Sequence, residues 1–120
     1  MAGRFYQLVV DSRDPAALAR FWAAALDLEI LYETSDEVII GRDPHDYPGI
    51  CFVPVGDRKL GKNRLHIDID PDDQDAEVDR LLALGARRID IGQGAASWVV
   101  LADPEGNEFD VLTPHRSLVE

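Results

Sequence analysis

Two short stretches carry the side chains best suited to chemistry. LHIDID, residues 65–70, sets His66, Asp68 and Asp70 at every second position, and EFDVL, residues 108–112, does the same for Glu108 and Asp110. Alternate side chains on a strand share a face, so Glu108, Asp110 and Leu112 point one way, and Phe109, Val111 and Thr113 the other. Strands disfavour Asp, so Asp110 needs a reason, which is solvent, structure or chemistry. An imidazole facing a carboxylate is one such reason, because a His66–Asp110 pair fixes a single tautomer without any metal. Asp68 is either a pocket acid or a solvated one. Asp70 is read as the start of a turn into a helix, and Glu108 as standing at the solvent mouth of its strand. The single cysteine, Cys51, lies in the apolar run ICFV and reads as buried and inert, with a nucleophile as the alternative.

The totals bound what these residues can belong to. A chain of 120 residues supports one domain with a core, and no second independent one. One cysteine excludes an intrachain disulfide and any multi-cysteine zinc site. No run approaches the roughly 20 apolar residues that span a bilayer. The N-terminal MAGRFYQLVVD carries no apolar stretch of signal-peptide length, so a cytoplasmic location is expected, with no membrane partner. A net charge of −11 repels a phosphate backbone, and the only basic cluster, KLGKNR at 59–64, is too small to offset it. Nucleic acid is therefore not an expected partner; a small molecule is.

The elements that must position these residues come in two matching sets. YQLVVD and then SRDPAALARFWAAALDL in the first half parallel LHIDID and then PDDQDAEVDRLLALG in the second. Each pair predicts a strand, an acidic turn containing Pro, and an amphipathic helix. Leu18, Phe21, Trp22, Ala25 and Leu26 recur at helical spacing, with Asp14 as N-cap and Pro15 at the first helical position. Val78, Leu81 and Leu82 form the second stripe, and Gly85 stops it. Downstream, EVIIGRDPHDYPGICFVPV parallels SWVVLADPEGNEFDVLTP, each a hairpin around Asp-Pro, at Asp43-Pro44 and Asp103-Pro104. LEILYET and ARRIDIG add one strand to each half. The fold class read from this is α+β: two βαβββ modules, about 4–58 and 63–114, pairing into one cup-shaped mixed sheet within a single domain spanning 1–120. A plain ferredoxin-like sandwich is the competing architecture, and it gives no reason to repeat the Asp-Pro hairpin.

With DPAALARFWAAAL, KNRLHIDI and DPEGNEFDVL in place, the chain resembles the vicinal oxygen chelate superfamily, in its short glyoxalase-like branch. The resemblance spans roughly residues 4–114. That superfamily includes glyoxalase I, extradiol dioxygenases, methylmalonyl-CoA epimerase, fosfomycin-resistance enzymes and bleomycin-binding proteins. Its metal-using members point four side chains into the cup, one from each of four strands. By the resemblance the first falls on Gln7, the third on His66, and the fourth on Asp110, where the family's enzymes usually carry Glu. The second falls near Ile50 or Phe52, neither of which binds a metal.

The resemblance implies two functions. In the first, a divalent metal (Zn, Fe, Mn or Ni) on Gln7, His66 and Asp110 acts as a Lewis acid on a substrate with two neighbouring oxygens. Glu108 or Asp68 then moves a proton, in lyase, isomerase or dioxygenase chemistry. In the second, no metal is present, and an acidic cleft lined by aromatic residues sequesters a bulky cation, as bleomycin-resistance proteins do. Trp98, Tyr32, Phe52 and Arg64 are the side chains expected around a ligand in either case, with Trp98 offering a face to a planar or cationic group. Arg64 alternatively closes a loop salt bridge, and Gln7 alternatively bridges polar groups. His45 and Tyr47 are read as loop residues, His115 as part of a frayed tail. A homodimer is expected, because small paired-module proteins leave sheet edges exposed.

Overall fold

The computed structural model describes residues 2–119 and divides after Arg58 into two compact units. The first unit runs β1 (Gln7–Ser12), α1 (Pro15–Leu26), β2 (Glu29–Glu33), β3 (Val38–Gly41) and β4 (Gly49–Pro54). The second runs β5 (Asp68–Ile69), α2 (Gln74–Leu84), β6 (Arg87–Arg88), β7 (Val99–Ala102) and β8 (Glu108–Val111). The sheet orders are β1-β4-β3-β2 and β5-β8-β7-β6, the same arrangement twice. In each, the first strand pairs in parallel with the fourth, and the other pairs are antiparallel. The duplication read from the Asp-Pro hairpins is thus a duplicated βαβββ topology.

Local chemistry explains the element ends. The Asp14 carboxylate accepts from the Ala17 N–H at 3.2 Å, and Pro15 occupies the first turn, where no donor is needed. The helix ends at Asp27, left-handed at φ 54°. In the second unit the cap is Asp73, which accepts from Ala76 N–H at 3.1 Å, and Gly85 ends α2 at φ 122°. Asp70, which begins the turn into that helix as the sequence predicts, accepts the His115 N–H at 2.7 Å. The stretch near His115 is therefore tied back to the second unit instead of fraying.

The helical stripes bury as the spacing predicts. Leu18, Phe21, Trp22 and Ala25 are buried on α1, and Val78 and Leu81 on α2, while Leu26 and Leu82 are half-buried. Each fully buried Leu or Phe contributes about 2 kcal/mol of apolar transfer. Phe52 is completely buried with the core and so lines no open surface, which corrects its expected place beside a ligand. The reason is parity: Phe52 pairs with Val38 and Val10, on the face of β4 that packs away from solvent.

The Asp-Pro turns are structural. Asp103, 1% exposed, accepts N–H groups from Glu105 at 2.9 Å and Asn107 at 3.0 Å, and the Asn107 side-chain amide at 2.9 Å. In the first unit Asp43 accepts the His45 N–H at 2.7 Å. Both use the tendency of Asp to bond backbone two residues ahead.

Candidate functional site

The site grows from the pairing of β5 with β8. Asp68 lies opposite Asp110, and Asp110 N–H donates to Ile67 O at 3.0 Å. In-register neighbours share a face, so the two carboxylates point the same way, and His66 joins them from two residues earlier. His66 Nδ1 is 3.1 Å from Asp110 Oδ2 and 3.5 Å from Asp68 Oδ1. One ligand-capable atom from each of the three lies within 4.8 Å of the others. Asp110 is buried and Asp68 is exposed.

Burial, then the hydrogen bond that the protonated Asp110 carboxyl donates to Asp68, pushes Asp110 from 3.8 up to about 6, against the pull of His66. Two carboxylates this close resist ionising together. A cation placed among them would relieve that repulsion. One imidazole nitrogen and carboxylate oxygens also form a donor set suited to Mn, Fe, Co, Ni or Zn. On the chemistry of the donors, the residues present fit a divalent metal.

His66 itself precedes β5, which is two residues long where β1 has six. The sequence predicts a longer strand through LHIDID. The register would continue by setting residue 66 opposite Glu108, but Glu108 is otherwise engaged. Its carboxylate accepts Lys59 Nζ at 2.6 Å and the Asn63 N–H at 3.0 Å. Glu108 is 7% exposed, which corrects its expected place at a solvent mouth. Burial pushes its carboxyl up, and Lys59 with the Asn63 N–H more than offsets this, leaving it below the usual value. A carboxylate held by a partly buried ammonium and a backbone donor is a structural anion. The sequence signal for this strap was the basic stretch KLGKNR, which reads as a solvated loop when its partner is unknown.

The repeat also locates the second ligand position. Counted back from the caps Asp14 and Asp73, Gln7 corresponds to His66 and Val9 to Asp68. Val9 pairs with Cys51 as Asp68 pairs with Asp110, so Cys51, and neither Ile50 nor Phe52, is the counterpart of Asp110. Cys51 is 2% exposed, with Sγ 3.7 Å from Glu37 Oε2. Burial, then the Glu37 charge, raises its thiol, which therefore stays protonated. The first unit thus offers no carboxylate on β4.

The remaining expected residues are dispersed. Gln7 begins β1 of the first unit. Tyr32 is exposed on the edge strand β2, Trp98 is half-exposed just before β7, and Arg64 is exposed with no ion pair among the described residues.

The sequence profile of the glyoxalase-like domain matches residues 7–112. The chain belongs to the glyoxalase-like domain family. Among curated proteins none matches. Solved structures share this glyoxalase-like fold at low identity. A glyoxalase/bleomycin resistance protein/dioxygenase family enzyme from Burkholderia phytofirmans PsJN superposes with a TM-score of 0.71 at 18% identity, covering 94% of this chain and 100% of that one. The trypanothione-dependent glyoxalase I of Leishmania major gives 0.65 at 15% identity, covering 93% and 87%. A point mutant of the fosfomycin resistance protein FosX from Listeria monocytogenes, complexed with Mn(II) and 1S,2S-dihydroxypropylphosphonic acid, gives 0.67 at 18%, covering 96% and 92%. This glyoxalase-like chain shares the fold of these structures and carries a His–Asp–Asp cluster where β5 and the residues just before it meet β8.

Proposed function

We propose that this glyoxalase-like protein is a metal-dependent enzyme acting on a small substrate with two neighbouring oxygens. His66 and Asp110, brought together in the second unit, are its proposed metal donors. A divalent ion there supplies Lewis acidity toward a substrate oxygen. Asp68, half-exposed and bonded to Asp110, takes the proton released from the substrate carbon or water. The observation that carries this reading is the 3.1 Å His66–Asp110 contact with Asp68 in register beside it. The Mn(II) complex of FosX supports the choice of ion class, and its diol ligand supports a small oxygenated substrate.

The test uses tag-free protein titrated with Mn, Fe, Co, Ni and Zn. Near-stoichiometric binding, abolished by His66→Ala and by Asp110→Asn but retained by Asp68→Asn, is the expected result. Turnover of vicinally oxygenated substrates should then vanish in Asp68→Asn alone among the metal-retaining proteins. Absence of binding by every ion overturns the reading.

A second reading is favoured by one observation: the β4 counterpart of Asp110 is a protonated, buried Cys51. In that reading the protein holds a cationic ligand without metal. Saturable quenching of Trp98 by a planar cation, in protein that binds no ion, would establish it. We also propose a homodimer, to be checked by light scattering at several concentrations.

A further inference from the structure

At the start of the first unit, residues 2–4 lie beside the turn that precedes β4 and border an open hollow. It is a cavity of about 510 Å³ lined by Ala2, Gly3, Arg4, Tyr6 and Tyr47. That volume falls within the range of small-molecule sites, roughly 300–1,000 Å³.

The lining has a definite chemistry. The Tyr6 and Tyr47 rings meet edge to face, with centroids 5.3 Å apart and planes at 61°. Arg4 sits with its guanidinium carbon 5.5 Å from the Tyr47 centroid. The wall is anchored by backbone, since the Gly49 N–H donates to Tyr6 O at 3.1 Å and Gln7 pairs with Gly49. Gly3 has open space where a side chain would stand. Tyr6 is 62% and Tyr47 38% exposed, so both rings retain uncovered surface.

The charge is the unusual part. The chain carries 23 acidic against 12 basic residues, yet Arg4 has no carboxylate within ion-pair distance among the described residues. A guanidinium poised over an aromatic ring keeps N–H donors available for a forked pair with a carboxylate. Ring faces beside such a fork match a flat aromatic group that carries one carboxylate.

We propose that Arg4, Tyr6 and Tyr47 form a binding site for small aromatic carboxylates. The guanidinium pairs with the carboxylate, and the ligand ring packs against the exposed tyrosine surface. The anion is recognised as a carboxylate on a ring, so neither acetate nor a neutral arene suffices.

The test is two-dimensional amide NMR on the full chain, titrated with 2-naphthoate, neutral 2-naphthalenemethanol and acetate. The Gly49 amide, bonded to Tyr6 O, is the reporter. Naphthoate should shift it saturably and bind at least tenfold tighter than either comparator. Arg4→Ala and Tyr47→Ala should each weaken naphthoate tenfold or more, with Arg4→Lys in between and His66→Ala unchanged. Both Arg4 and Tyr47 are exposed enough that these changes leave the fold intact, which the unshifted remainder of the spectrum checks. Non-saturating shifts overturn the proposal. So do equal affinity for the neutral arene, indifference to Arg4→Ala, or shifts centred on His66 and Asp110.

Discussion

Replacing Asp110 with Asn should stabilise the metal-free protein above pH 6 while removing metal binding. The Asp110 carboxyl rises from 3.8 to about 6, chiefly through burial and then through the neighbouring Asp68. The folded state thus holds a proton that the unfolded chain has released, so stability falls as pH rises between about 4 and 6. A rise of two units corresponds to about 3 kcal/mol, at about 1.4 kcal/mol per unit. Asn keeps the shape and cannot ionise, so it escapes that loss. Asp110→Asn should therefore melt roughly 10 °C above wild type at pH 7.5, with the gap closing below about pH 4. The assay is thermal unfolding across pH 3.5–8 in the presence of a chelator. Adding Mn should then reverse the order, because ligand binding raises only the wild-type melting point. Melting points that run parallel across the whole pH range would refute the reasoning about the His66–Asp68–Asp110 cluster, whatever the metal does.

Other substitutions probe the supports. Lys59→Met strands the buried Glu108 carboxylate and should cost about 3–5 kcal/mol at pH 7, read by denaturant unfolding. Glu108 lies below its ordinary pKa of 4.5, so its stabilisation is present above that value, and the deficit should shrink as pH falls below 4. Asp103→Ala removes the acceptor for two N–H groups and an amide in a buried turn, and should cost about 2–4 kcal/mol by the same measurement. Cys51 should resist a thiol reagent in native protein and react once denatured, because burial and then Glu37 raise its thiol. Fast native labelling would contradict the enclosed position.

Much of the architecture was legible along the chain because it rests on local rules. Asp14-Pro15 and Gly85 mark helix ends by capping chemistry, and the stripes of α1 and α2 follow from helical spacing. The matching Asp-Pro hairpins exposed the duplication, since Asp43 and Asp103 each bond backbone two residues on. His66, Asp68 and Asp110 were visible as polar residues on apolar strands, a conflict between propensity and placement that often marks a site.

What sequence could not settle was pairing across distance. Whether Asp110 faces Asp68 or something else depends on the β5–β8 register, and a shift of one residue would turn each carboxylate to the other face. The same register made Cys51, and neither Ile50 nor Phe52, the counterpart of Asp110. Glu108 changed from a solvent-facing acid to a buried anion because Lys59, forty-nine residues earlier, folds onto it. Phe52 went to the core by strand parity. Periodicity and capping are written into neighbouring residues, so the chain alone fixed the elements. The partners of charged side chains are set by contacts between distant segments, so only the folded chain decided that Glu108 is paired with Lys59 and that Asp110 stands beside His66 and Asp68.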